Sequence, residues 1–250
     1  MISDGSFRLD GKLALVTGAS RGIGYSLSKE LAARGAHVIA VARTVGGLEE
    51  LDDEIKAAGG AATLVPLDLT DMLAIDRLGG SIHERWGKLD IFVANAGILG
   101  TISPIGHVEA KVFDKLMTIN VSSVWRLIRT TDPLLKLSDA GRAILLSSGV
   151  AHTARAYWGP YAASKAAVEV MARTWAEESR QTRLRVNSVN PGATRTALRA
   201  QAMPGEDPET LPTPAEVAAK IALLCDPALD ATGKLYDVRA GKLLSYNDPS

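Results

Sequence analysis

Lys12-Leu13-Ala14-Leu15-Val16-Thr17 runs into Gly18-Ala19-Ser20-Arg21-Gly22-Ile23-Gly24, and the reading of this stretch decides the fold. The apolar half has the length and composition of a buried strand, and the glycine half opens a helix. Gly18 lets the chain turn sharply, while Gly22 and Gly24 remove side chains where backbone must approach a phosphate or the sheet. The start of such a helix offers unpaired N–H groups and a positive dipole end to a pyrophosphate. A glycine cluster alone says little, because any tight strand-to-helix turn favours glycine. Here the strand before it and the helix after it supply the context for a dinucleotide site.

Working outward, the same alternation continues. His37–Ala42, Ala62–Pro66, Leu89–Ala94, Arg142–Ser148 and Leu184–Val189 are short apolar runs bounded by Gly, Asn, Asp or Ser. Leu48–Ala58, Met72–Trp86 and Tyr161–Ser179 are amphipathic and helical in spacing. Strand and helix in alternation imply right-handed βαβ crossovers and a parallel sheet covered on both faces. Adding Lys234–Val238 as a closing edge, the expectation is an α/β chain: a single-domain, doubly wound Rossmann fold over residues 1–250, with a seven-stranded parallel sheet. Residues 193–214 break the rhythm with Gly205 and Pro204, Pro208, Pro212 and Pro214. Following the sixth strand on the carboxyl edge, where open α/β sheets bind ligands, they are expected to form a substrate lid rather than a passive surface loop.

The totals agree with a small-molecule task. Hydrophobic residues make up 46% of the 250 and aromatics 5%, which suits an aliphatic α/β core. Lys plus Arg and Asp plus Glu both count 28, so no net field draws the chain to nucleic acid or an anionic membrane. No apolar run approaches the roughly 20 residues of a membrane span. Cys225 is the single cysteine and lies in an apolar run, as a small core residue would. Met1–Asp10 is polar and lacks the pattern of a signal peptide, so a cytoplasmic location is expected.

The end of the second strand selects the dinucleotide. A carboxylate there would bind the ribose hydroxyls of NAD and repel a 2′-phosphate. This chain has Val41-Ala42-Arg43-Thr44 instead, and Arg21 sits inside the glycine turn. Guanidinium–phosphate contacts are charge-assisted, so NADP(H) is expected over NAD(H), unless both arginines are simply solvated. Asp68, after the third strand, suits either the adenine amino group or a turn or helix cap.

Tyr161-Ala162-Ala163-Ser164-Lys165 places a phenol and an ammonium one helical turn apart. A free tyrosine has a pKa near 10, so a neighbouring ammonium that favours the phenolate would make it a usable acid or base. That pair is common, and its neighbours give it meaning. Asn95-Ala96-Gly97 ends the fourth strand, Asn120 lies in a helical run, Ser147-Ser148 ends the fifth strand and Pro191-Gly192 follows the sixth.

In this ordered set the sequence resembles the short-chain dehydrogenase/reductase family over essentially its whole length. The resemblance implies an NADP(H)-dependent oxidoreductase moving a hydride between nicotinamide and a carbonyl or alcohol. Tyr161 would be the general acid/base, and Lys165 would hold the nicotinamide ribose and lower the phenol's pKa. Ser148, thirteen residues before the tyrosine, would bind the substrate oxygen, and Asn120 would support a water leading from Lys165 to solvent. Cofactor contacts are implied for Gly18, Ser20, Arg21, Gly22, Ile23, Gly24, Arg43, Asp68, Leu69, Asn95, Ala96, Gly97, Tyr161, Lys165, Pro191, Gly192 and Thr194. Asn95 has a second reading, tying neighbouring strands together. Two departures stand out. Ala94-Asn95 replaces the usual Asn-Asn, and Tyr236-Asp237-Val238-Arg239-Ala240-Gly241 replaces an Asp-Gly-Gly near the end, which puts the packing of that edge in question.

His152, Tyr157 and Trp158, with Ile98, Leu99 and the lid, are the expected substrate lining, suited to a medium-sized uncharged carbonyl compound. Arg155 and Arg195 would instead receive an anionic group. Glu109–Leu137 and Tyr161–Ser179 resemble the family's main dimer surface, which implies a homodimer or homotetramer. No metal is expected. The alternative in a different class is a catalytically silent NADP(H)-binding sensor or scaffold.

Overall fold

The six apolar runs become β1 (Leu13–Thr17), β2 (His37–Ala42), β3 (Ala61–Pro66), β4 (Ile91–Ala94), β5 (Arg142–Leu146) and β6 (Arg185–Asn190) in the computed structural model. It describes residues 5–246; part of the polar N-terminal stretch, residues 1–4, lies outside the described residues. β1, β4 and β5 are buried at every position, which is why they read as continuous apolar runs rather than alternating ones. The helices are α1 (Gly22–Ala33), α2 (Val45–Ala57), α3 (Met72–Trp86), α4 (Ala110–Met117), α5 (Ser123–Lys136), α6 (Gly159–Glu178), α7 (Ala197–Ala202) and α8 (Pro214–Ala222).

The helices cover both faces of the sheet. Leu27 and Leu31 of α1, Leu48 and Leu51 of α2 and Ile221 of α8 pack on one face. Ile75 of α3, Leu127 of α5 and Trp175 of α6 pack on the other. The expected single run Glu109–Leu137 divides into α4 and α5 at a π-helical turn, Thr118–Ser122, a feature often found at functional sites.

The edge of the sheet corrects the sequence reading. The seventh strand, β7 (Leu235–Asp237), pairs parallel with β6 as expected but does not close the sheet. An eighth strand, β8 (Lys242–Leu244), runs antiparallel to β7, giving the order β3-β2-β1-β4-β5-β6-β7-β8. The sheet is therefore eight-stranded and mixed, not seven-stranded and parallel. An antiparallel partner needs only a tight turn, where a parallel one needs a long crossover. Val238–Gly241 supplies it: Gly241 takes φ +64° and the Ala240 N–H donates to Asp237 Oδ1 at 2.8 Å. Three residues with exposed Lys242 and Leu244 carry no readable strand period. The tail that departs from the family pattern is this turn.

The order reverses between β1 and β4, which run to opposite halves of the sheet. A crevice at such a switch point, beyond the carboxyl ends of the strands, is where doubly wound folds hold ligands. Among the described residues no helix is long and apolar enough to cross a membrane.

Candidate active site

The glycine turn is built around a side chain. Gly18 takes φ +68°, and a Cβ there would lie 2.8 Å from Asn95 Nδ2; a Cβ on Gly24 would lie 2.3 Å from the same atom and 2.4 Å from the Gly18 carbonyl oxygen. Asn95 Nδ2 donates to the carbonyls of Thr17 (2.8 Å) and Gly18 (3.2 Å), which is the strand-tying reading of this residue. Thr17 Oγ1 accepts from the N–H groups of Asn95 and Ala96, both at 3.1 Å, and donates to Val93 O at 3.3 Å. Two of the three glycines thus make room for an asparagine. Gly22, at φ +61°, is open except for Thr196 Cγ2 at 3.4 Å.

What remains free is the start of two helices. Arg21 precedes α1 in extended conformation, with no side-chain cap and no acid in the first turn. Thr44 precedes α2 in the same way. Gly47 brings α2 against the turn, since a Cβ there would lie 2.7 Å from Ser20 O. Both sets of N-terminal amides keep their positive field uncompensated, the condition that suits anionic oxygens. Arg43 stands beside them, more than half exposed, 3.9 Å from Asp68 Oδ2. Asp68 Oδ1 accepts from Thr70 N and Oγ1 at 2.9 Å each, so one oxygen serves the turn. Those bonds hold its carboxyl below the usual range. Leu69 is buried beside it. Across the crevice, Gly192 takes φ +72° with nothing near its missing Cβ, and Thr194 is buried behind it.

Tyr161 and Lys165 lie on α6, buried together, with Lys165 Nζ 5.8 Å from the centre of the phenol ring. The ammonium donates to Leu146 O at the end of β5 (2.8 Å). Burial lowers its pKa to about 8, with Glu169 acting in the opposite sense. The phenol is not acidified in this arrangement. Burial pushes it up to about 12, and the Ser148 hydroxyl that hydrogen-bonds it pulls only partly the other way. Ser148, in extended conformation, caps a short 3₁₀ turn, Gly149–Ala151. Ser147 points elsewhere and donates to Glu169 Oε1 at 2.5 Å.

Asn120 sits in the π-helical turn, fully buried. Its Oδ1 accepts from Ile98 N (2.9 Å), and its Nδ2 donates to Ile98 O (2.9 Å) and Ser164 Oγ (3.1 Å). It ties the segment after β4 to α6. A Cβ on Gly97 would lie 3.4 Å from Asn120 Oδ1 and 3.5 Å from Lys165 Nζ, so this glycine joins the Asn-Ala-Gly stretch to the lysine.

Of the expected substrate residues, Trp158 packs beside Tyr161. Its ring meets Tyr161 edge-on with centroids 6.1 Å apart, in an apolar cluster with Leu99 and Leu116. Tyr157 lies at the rim, 58% exposed, with φ +73°. His152 Nε2 lies 2.8 Å from Glu169 Oε2. Residues 193–214 are ordered as α7 and a 3₁₀ turn, Pro208–Thr210. Arg199 meets Glu206 through two bonds of 2.5 Å, and Arg195 meets Glu209 at 2.9 Å. Leu198, Ala202 and Met203 of this segment rest on the Trp158–Tyr161 cluster.

Sequence reasoning missed Thr17, Ser164 and Glu169. Thr17 and Ser164 stand inside quoted motifs and looked like spacers. Glu169 carried a signal, its position four residues after Lys165.

A mixed, doubly wound sheet whose glycine turn, polar strand ends and buried Tyr–Lys pair share one crevice defines a Rossmann-type α/β protein with a site at its switch point. The chain belongs to the short-chain dehydrogenase family, whose model matches residues 12–207. It is 38% identical over 238 residues to the uncharacterized oxidoreductase YciK of Escherichia coli K12, covering 94% of each chain. It is also similar to a solved short chain dehydrogenase of Shigella flexneri 2a strain 301 complexed with NADP, at 38% identity and TM-score 0.87, covering 92% of this chain and 98% of that one. A third is the short chain dehydrogenase of Escherichia coli CFT073 complexed with NADPH, with 38% identity, TM-score 0.86 and the same coverage.

Proposed function

We propose that this oxidoreductase-family chain reduces a carbonyl, or oxidises the corresponding alcohol, with NADP(H), using Tyr161 as general acid/base. The observation that carries the reading is the convergence of Tyr161, Ser148 and Lys165 beside a glycine turn whose helix start is uncapped. The cofactor's chemistry fits the donor set: α1 amides for a pyrophosphate, and Arg43 with the uncapped start of α2 for a 2′-phosphate. Relatives solved with NADP and NADPH support the same choice. When bound, the nicotinamide supplies or accepts the hydride.

The chain's own residues manage the proton and the charge. A phenol held protonated by burial is an acid, suited to protonating the oxygen of a carbonyl under reduction. Ser148 Oγ orients the same oxygen. The tyrosinate left behind is offset by the Lys165 ammonium, which burial holds near its titration point at mildly alkaline pH. Asn120 braces Ile98 and Ser164, keeping both walls of the site in register. Trp158, Leu99 and the 193–214 lid exclude water and favour a medium-sized, largely apolar substrate. The sheet and its helices act as one domain, and half-exposed Trp125 of α5 and Val170 of α6 suit a homo-oligomer surface.

The test is NADPH turnover with a panel of ketones and quinones, against a Tyr161→Phe variant. Phenylalanine keeps the packing and removes the proton, so turnover falls by about 10²-fold or more while NADPH affinity holds. Tight NADPH binding by the wild type, with no turnover in either direction, would favour the sensor reading.

A further inference from the structure

We infer that Glu169 is a positioning residue for this site, one buried carboxylate that holds both the charge of Lys165 and the Ser147–Ser148 strand end. The inference rests on the reaction proposed above and adds a residue that the motif of the family does not contain.

Glu169 is 3% exposed, and a buried carboxylate persists only where partners replace its lost water. Two donors are visible. Ser147 Oγ lies 2.5 Å from Oε1, and His152 Nε2 lies 2.8 Å from Oε2. The third partner is electrostatic: Glu169 follows Lys165 by one helical turn, on the same face of α6, and its charge favours the ammonium against burial. Arg173, Asp237 and Tyr246 border the same cleft as this carboxylate. Arg173, further along α6, stacks its guanidinium 4.5 Å from the centre of the Tyr246 ring. Asp237 of β7 accepts from Asn190 Nδ2 at 3.1 Å and from Ala240 N at 2.8 Å. Tyr246, on the segment after β8, stays neutral because burial pushes its phenol well up, with the Glu169 carboxylate acting in the same sense.

The same carboxylate acts on position. Leu146 O accepts the Lys165 ammonium, and the next residue, Ser147, donates to Glu169, so one side chain grips the strand end that holds the lysine. Ser148, the substrate-binding candidate, comes next. A cleft of about 710 Å³ is bordered by His152, Glu169, Arg173 and Tyr246, and Tyr161 does not line it. His152, expected at the substrate, is paired with Glu169 here.

Glu169→Gln separates the two roles, since glutamine still accepts from Ser147 but carries no charge. The titration of Lys165 is followed by NMR in ¹³C-lysine-labelled protein, assigned with Lys165→Arg, and NADPH binding is followed by fluorescence at pH 8. The Lys165 midpoint drops by about one pH unit from its position near 8. At pH 8 the charged fraction then falls from about one half to about one tenth, and NADPH affinity falls about fivefold. Thermal melting establishes that the variant is folded. Should it not fold, Glu169→Asp, which withdraws the carboxylate by one methylene, is titrated instead, with a smaller downward shift expected. A midpoint unchanged in the folded variant overturns the inference. Failure of the wild type to bind NADPH overturns the proposed function instead and leaves the midpoint comparison intact.

Discussion

Replacing Thr17 with valine removes one buried hydroxyl at the end of β1, beside the glycine turn, with little change in the shape of the side chain. Thr17 is buried, and valine fits a strand equally well, so neither cavity nor strain enters. The change strips the acceptor from the N–H groups of Asn95 and Ala96, both bonded at 3.1 Å, and the weaker donation to Val93 O at 3.3 Å. Each partly buried N–H left without a partner costs roughly 1–2 kcal/mol, and burying a methyl in place of a hydroxyl returns a fraction of this. The expected net loss is roughly 2–3 kcal/mol. In a chain of this size that lowers Tm by roughly 4–12 °C. Urea unfolding and thermal melting followed by circular dichroism measure it, with Thr17→Ser as the control that keeps the hydroxyl. Because Asn95 also braces the glycine turn, NADPH affinity weakens in parallel. A valine variant within about 0.5 kcal/mol of wild type, with serine no different, would refute the assignment of Thr17 as the hub of the turn.

Gly24→Ala drives a Cβ into Asn95 Nδ2 and the Gly18 carbonyl, so it destabilises by roughly 1–3 kcal/mol through overpacking and abolishes tight NADPH binding. A variant that melts and binds as wild type would contradict the close approach. Arg43→Ala leaves stability nearly unchanged, because its ion pair with Asp68 is long and exposed. Its Kd for NADP rises about tenfold or more while that for NAD stays level, and equal weakening of both in calorimetry would place the 2′-phosphate elsewhere.

Much of the fold was legible because helices on both faces force the strands to be uniformly apolar. β1, β2 and β5 therefore announced themselves within a residue or two. β8 did not, since a three-residue edge strand with one face in water needs no pattern beyond the turn that returns it to β7. The spacing of Tyr161 and Lys165 is local to one helix, so their shared face was readable. Whether burial or the ammonium governs the phenol depends on packing, and burial prevailed.

The chain's own order of residues determined the crossover topology, the place of the glycine turn and the identity of the groups that gather at the strand ends, because each depends on short-range period and turn chemistry. Tertiary structure alone decided which partners those groups keep. It gave Asn95 to the glycine turn, paired His152 with Glu169, and set α7 over Trp158 and Tyr161. Such pairings join residues far apart in the chain, and which of several polar groups wins a given donor is settled only when the packed core brings them within 3 Å and excludes the water that would otherwise serve.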